Sequence, residues 1–298
     1  MQSNVIKRRR MSLFDIIMYI IFSLLALITI YPFYNVLIIS FATFDSISKS
    51  DLYIIPTSFD ITPYKVLFAD MSFWRSFLVS IFVTVVGVAF SMFLSVTGAY
   101  ALSKKTMPGR NFILSMILFT MFFNGGLIPF YLIIKDLGLI NNIFVMIVPA
   151  AMNTFYLIIM KNYFSTVPES LEESAKLDGA NDLYILLKII LPISAPFMAT
   201  FGLFYAVERW NEWWYAMLFI NDSSLAPLQI YLRQVLITAS SQLNGVAMLL
   251  AEQSGSSKVY TPSLQMATIV VTCIPIIMVY PFLQKHFAKG LLVGSIKG

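Results

Sequence analysis

Long uncharged runs alternate with short charged segments along this chain. Charge-free stretches cover Ile16–Phe44, Ser76–Ser103, Asn111–Ile134, Leu137–Met160 and Val259–Gln284. A sixth begins after Pro192 and continues to Phe219, interrupted by Glu208, Arg209 and Glu212. A spanning helix needs about 20 mostly apolar residues, because the hydrocarbon core is about 30 Å thick and each residue rises 1.5 Å. The runs are continuous rather than alternating, and only a helix or a closed barrel satisfies its backbone in lipid. The pattern therefore predicts an all-α polytopic membrane protein with six transmembrane helices. One more uncharged stretch, Gln234–Ala251, carries Ser240, Ser241, Gln242 and Asn244 in its middle and is read as external loop with helical pieces.

The distribution of charge supports six spans with both termini in the cytoplasm. The inner segments then hold Lys7, Arg8, Arg9, Arg10, Lys104, Lys105, Arg110, Lys161, Lys176, Lys188, Lys285, Lys289 and Lys297, thirteen of the 20 basic residues. Short internal loops are enriched in Lys and Arg, and a seventh span would put the last three outside. Residues 1–13 read as a basic cytoplasmic N-terminus, 14–283 as the membrane domain and 284–298 as a cytoplasmic tail. External loops fall at 45–75 and 220–262. The N-terminal apolar run is too long for a signal peptide, and no small-residue cleavage site follows it.

Composition narrows the class further. Hydrophobic residues make up 58% and charged residues 12%, where a soluble domain carries about 25% charged residues; mean hydropathy is +0.80. That excludes an ordinary cytosolic enzyme, and the net charge of +5 is a matter of membrane topology rather than of nucleic acid. The single Cys273 and single His286 exclude a disulfide framework, a Cys-based metal site and multi-His metal sites, and leave almost no room for a Ser-His-Asp triad.

The longest internal loop, 161–192, is the most structured segment outside the spans. Thr166 and Glu169 have capping-box spacing and Pro168 suits a first helical turn. Glu169, Glu172 and Glu173 complement a helix N-terminus. Gly179 can end this helix in a positive-φ conformation, and Asn181 can cap the next. Leu183, Leu186, Leu187, Ile190 and Leu191 then form an apolar stripe. Two readings fit: interfacial helices lying on the inner leaflet, or a docking element for a cytoplasmic partner.

Three motifs in this chain resemble the permease subunits of ABC importers. Glu173-Ser174-Ala175, Asp178-Gly179-Ala180 and Leu191-Pro192 resemble the EAA loop, with Ser174 in place of the usual second Ala. Asn124-Gly125-Gly126-Leu127-Ile128-Pro129 resembles a branch of maltose-type sugar permeases linked to uptake of complex-polysaccharide fragments. The ending Lys289 to Gly298, with Gly290, Gly294 and Lys297, resembles the tail of the maltose-type second permease subunit. The resemblance implies a type I ABC importer permease fold in a bacterial cytoplasmic membrane. It also implies that the loop forms a coupling helix seated in an ATPase subunit and that the tail reaches into the ATPase dimer interface. The implied partners are a second permease, two ATPase subunits, an extracytoplasmic solute-binding protein that the 220–262 loop could dock, membrane lipid and an oligosaccharide substrate.

No G-x-x-x-x-G-K-[ST] motif occurs, so no P-loop can cradle nucleotide phosphates; no cofactor is expected on this chain, ATP and Mg are expected on the separate ATPase, and the chain itself is expected to be non-catalytic. Candidate pathway residues are Asn124 and the cluster Glu208, Arg209, Trp210, Asn211 and Glu212. Ionisable groups inside a membrane are costly and face a cavity or a partner. The cluster either lines the pathway, with Arg209 available to a carboxylated sugar, or is structural, with Arg209 paired to a neighbouring Glu. The competing functions are the same machinery with another polar solute, or a membrane-embedded enzyme using the carboxylate pair Glu208 and Glu212.

Overall fold

The computed structural model describes residues 12–43, Ser46, 59–242 and 261–294. The basic cluster at 7–10, most of 44–58, residues 243–260 and the end of the tail, with Lys297, lie outside the described residues. By internal contacts the chain divides into two units, Met1–Ala69 with Leu236–Val271, and Asp70–Val235 with Thr272–Gly298.

The first unit contains α1 (Leu13–Ser40), α2 (Thr62–Ala69) and the first part of α12 (Thr261–Gly294). Asp15 accepts the Ser12 N–H at 2.9 Å, closing the first turn of α1. Most side chains from Leu13 to Phe33 are exposed, as suits a helix whose solvent is lipid. At its far end the helix is tied down by polar contacts. The Ser40 and Tyr64 hydroxyls lie 2.7 Å apart, the Asp60 N–H donates to Phe41 O at 2.8 Å, and the Ser263 hydroxyl donates to Ala42 O at 2.6 Å. Asp60 accepts the Thr62 N–H at 2.8 Å; hydrogen bonding from Thr62 holds its carboxyl below the usual range.

The second unit is organised around α3 (Met71–Ser103), which Asp70 caps by accepting the Ser72 N–H. Around it lie α4 (Arg110–Phe122), α5 (Leu127–Asp136), α6 (Thr154–Phe164), α7 (Glu169–Leu177), α8 (Asp182–Ile193), α9 (Ala195–Trp210), α10 (Trp214–Phe219) and α11 (Leu228–Gln242), the last running on into the first unit. Helices α6 and α9 pack directly on α3. They can approach closely because α3 buries a file of small residues, Ser76, Ser80, Gly87, Ser91, Ser95 and Ala99, at mostly four-residue spacing. Two apolar clusters result. One joins Val96, Tyr100 and Leu102 of α3 to Leu157, Met160, Ala175, Ile185 and Phe201. The other joins Val83 to Ile134, Val145, Met146, Ala216 and Phe219.

Among the described residues, three helices are long and apolar enough to cross a bilayer: α1, α3 and the Pro262–Val279 part of α12. Two bent pairs raise the number to five, α4 with α5 turning by 120°, and α8 with α9 and α10 turning by 90°. The first of these breaks at Asn124, whose side chain accepts the Gly126 N–H at 2.9 Å and so ends α4. The expected single helix over Leu137–Met160 is corrected. Asn142 caps a short 3-10 turn over Ile143–Met146, Pro149 lies in a turn, and Asn153 starts α6 by accepting two N–H groups. Uncharged Asn and Pro end helices without changing the hydropathy of the run. The 234–251 segment is helical as far as Gln242.

Candidate functional site

The loop between α6 and α9 begins where Thr166 turns its hydroxyl back to Tyr163 O at 2.7 Å. The expected capping box with Glu169 does not form, because the hydroxyl is engaged by the preceding helix. Pro168 stands at the cap of α7, and Glu169 and Glu172 occupy its first turn. The helix closes in a Schellman motif: Gly179 N–H bonds Lys176 O at 3.0 Å and Ala180 N–H bonds Ala175 O at 2.9 Å. Gly179 sits at φ +83°. A Cβ there would meet no atom within 4 Å, so within this chain the position needs glycine for its backbone angle and not for space. Asn181 accepts the Tyr184 N–H at 2.8 Å and starts α8.

The buried face of α8 follows the expected stripe at Leu186 and Ile190 and departs from it at Leu183 and Leu187. Ile185, Leu186 and Ile190 are buried while Leu183 and Leu187 are exposed. A π-turn over Leu186–Ile190 shifts the register. The loop thus has an inner face, Ala175, Ile185, Leu186 and Ile190, packed into the α3 core. Its outer face carries exposed Leu171, Leu183, Tyr184 and Leu187, with Leu177 90% exposed. Glu173, Ser174, Asp178 and Pro192 are exposed, and Ala180 and Leu191 are partly buried.

Charges secure the loop. Lys104 forms an ion pair with Glu172, Lys105 lies 3.8 Å from Glu169, and Lys176 is 2.9 Å from Asp182. Hydrogen bonding to Asp182 raises the Lys176 pKa above its ordinary value. Burial, then the charge of Arg110, lowers that of Lys161. The partners Lys104 and Lys105 were missed by sequence reasoning. The signal was present as two adjacent cations on the same predicted membrane face as a Glu-rich loop.

The α9 cluster divides. Arg209 is 3% exposed. It donates to Met146 O at 2.9 Å, to Ser91 Oγ at 3.1 Å and to Ala150 O. No ion pair to Glu208 or Glu212 forms among the described residues; backbone carbonyls take the place of the expected Glu. Trp210 is buried and donates to Thr272 O at 3.2 Å. Glu212 accepts the Tyr215 N–H at 2.8 Å. Glu208 and Asn211 are exposed; Glu208 accepts the Tyr156 hydroxyl at 2.6 Å and Asn211 accepts from Gln229 at 3.2 Å. Asn124 is exposed in the α4–α5 break, not joined to this cluster. In the tail, Lys289, Gly290 and Gly294 belong to α12. No grouping of three or more His, Cys, Asp or Glu able to hold a metal occurs among the described residues.

Residues 106–293 match the family model described as binding-protein-dependent transport system inner membrane component. The chain is 46% identical over 286 residues to the polygalacturonan/rhamnogalacturonan transport system permease protein YtcP of Bacillus subtilis (strain 168), covering 96% of this chain and 99% of that protein. It is also 46% identical over 272 residues to protein LplC of the same organism, covering 91% and 90%. In three dimensions it resembles a chain of a bacterial ABC transporter involved in import of the acidic polysaccharide alginate. That likeness has a TM-score of 0.86 at 36% identity and covers 94% of this chain and 99% of the other.

Proposed function

This chain belongs to the family of binding-protein-dependent transport system inner membrane components, and from that premise we propose that it forms half of the translocation pathway of an oligosaccharide importer. It is a non-catalytic, multi-pass membrane subunit. Its partners in this reading are a second permease, two ATPase subunits that hold ATP and Mg, and an extracytoplasmic solute-binding protein. The six-span topology carries both termini inside, with 1–13 and 284–298 cytoplasmic, 161–192 coupling and 45–75 and 220–262 external.

One feature of the loop supports this reading most. A compact helix–turn–helix is anchored to the α3 core by one face while its other face leaves Leu177, Leu183 and Leu187 in water. A linker has no need of such a surface, whereas an ATPase cleft would cover it. Glu173, Ser174, Ala175, Asp178, Gly179, Ala180, Leu191 and Pro192 make the coupling segment, and Lys289, Gly290, Gly294 and Lys297 the ATPase-facing tail. Glu208 and Asn211, with Asn124 and Glu212, offer acceptors and donors for sugar hydroxyls; Arg209 and Trp210 hold that wall in place. The cargo is a polysaccharide fragment, in keeping with the names of the relatives.

Reconstitution of the chain with its partner permease, ATPase and binding protein tests the proposal. Binding protein loaded with polygalacturonan fragments should stimulate ATP hydrolysis and carry the fragments into the vesicle. Stimulation by no polysaccharide fragment, with the complex assembled, would refute the cargo.

A further inference from the structure

The loop is joined to the rest of the chain by two covalent routes, by its apolar inner face and by lateral charge pairs to the end of α3. The onward route through α8 contains the π-turn at Leu186–Ile190 and then turns by 90° across Ser194. A lateral tie takes a more direct path to α3. Lys104 stands at the C-cap of α3, and its ammonium lies over the Tyr100 ring, 4.1 Å from the centroid, while pairing with Glu172 across 68 residues of sequence.

Shielding separates this pair from its neighbour. The Lys104 and Glu172 side chains are 24% and 15% exposed, whereas those of Lys105 and Glu169 are 85% and 79% exposed. Fully solvated pairs contribute little, while shielded ones hold geometry. Glu172 and Ala175 lie three apart on one face of α7. The first grips Lys104 and the second is buried beside Tyr100 and Leu102. Arg110 completes the end of α3 by donating from Nε to Leu102 O at 2.8 Å, so the helix end is fastened as the loop pulls on it.

We propose that Lys104 is a positioning residue for coupling: through Glu172 it holds the first turn of α7 to the end of α3, so that displacement of the loop passes sideways into α3 as well as along the chain. The proposal rests on the importer reading of the loop. Removing the tie leaves the ATPase contact intact but lets hydrolysis run without full helix rearrangement.

The test uses the complete reconstituted importer and reads oligosaccharide imported per ATP hydrolysed. A merely structural role lowers the amount of complex and leaves that ratio alone. Lys104→Gln and Glu172→Gln should each lower the ratio at least about fivefold, the low end of ordinary coupling effects. The reversed pair Lys104→Glu with Glu172→Lys should restore it. An unchanged ratio in the single variants, or a reversed pair no better than they are, overturns the proposal. Should the Gln variants fail to assemble, the reversed pair decides alone, a wild-type ratio supporting the tie and a low one refuting it. A wild-type complex whose hydrolysis ignores loaded binding protein would instead fault the importer reading.

Discussion

A β-carbon on Gly87 would lie 3.0 Å from Cδ of Arg209. The guanidinium beyond that carbon is fixed by Met146, Ser91 and Ala150, so the side chain cannot swing clear. Gly87→Ala should therefore destabilise the second unit by about 1–3 kcal/mol, the usual cost of overpacking, and Gly87→Val by more. Thermal unfolding in detergent measures both. An unchanged midpoint for Gly87→Val would show that Arg209 is free to move.

Replacing Arg209 tests the same wall from the other side. Arg209→Lys keeps the charge but loses the fork that reaches three acceptors. Each acceptor left buried without a donor costs about 1–3 kcal/mol. The Lys variant should be clearly less stable than wild type, and Arg209→Ala less stable again. Folded yield after solubilisation is the measurement, and equal yields would place the stabilisation elsewhere.

Gly179 carries a different constraint. Its φ of +83° costs a side-chain-bearing residue about 1–2 kcal/mol, and a β-branched residue suffers most. Gly179→Val should abolish ATP-driven uptake while membrane insertion stays normal. Gly179→Asn should keep part of the activity, because Asn tolerates this conformation. Equal uptake by the Val variant and wild type would rule out a role for the turn.

The turn between α7 and α8 also has a defined response to pH. Pairing with Asp182 raises the folded-state pKa of Lys176 above its unfolded value of about 10.4. A group shifted upward contributes fully below the unfolded pKa and loses its contribution as pH rises through the folded one. Protease cleavage within residues 176–182 should thus be constant from about pH 6 to 9 and increase only in more alkaline buffer. Asp182→Asn should remove that alkaline step. A step near neutrality would contradict the assignment.

How much of this was legible in the sequence differs between residues. The 161–192 loop was readable because its signals are local: Gly179 after an amphipathic turn, Asn181 before the next, acidic residues at a helix start. Its buried face was legible only in part: Leu186 and Ile190 are buried as the stripe requires, while Ile185 takes the place of Leu183 and Leu187, and side-chain periodicity assumes an unbroken α-helix where this one contains a π-turn. The fourth run failed for a related reason. Asn142 and Asn153 take over backbone donors, a substitution that hydropathy does not register. Arg209 was visible as a costly charge, but two of its three partners are main-chain carbonyls, which every residue possesses and no sequence advertises. The small-residue file on α3 was there to be read in Ser76, Ser80, Gly87, Ser91 and Ser95, at a spacing that needs only to be counted.

That file has a mechanical consequence. At three successive heights α3 is engaged by two neighbouring helices, α11 once and α9 twice. Ser80 accepts the Leu228 N–H at 2.8 Å, Ser91 accepts from Arg209, and Ser95 meets the Tyr205 hydroxyl at 2.7 Å. A rod notched in this way can tip or slide with its neighbours, but any roll about its long axis would pull all three notches out of register together. The post at the centre of the second unit is in this sense keyed, and turning it against both neighbours at once would mean breaking all three contacts.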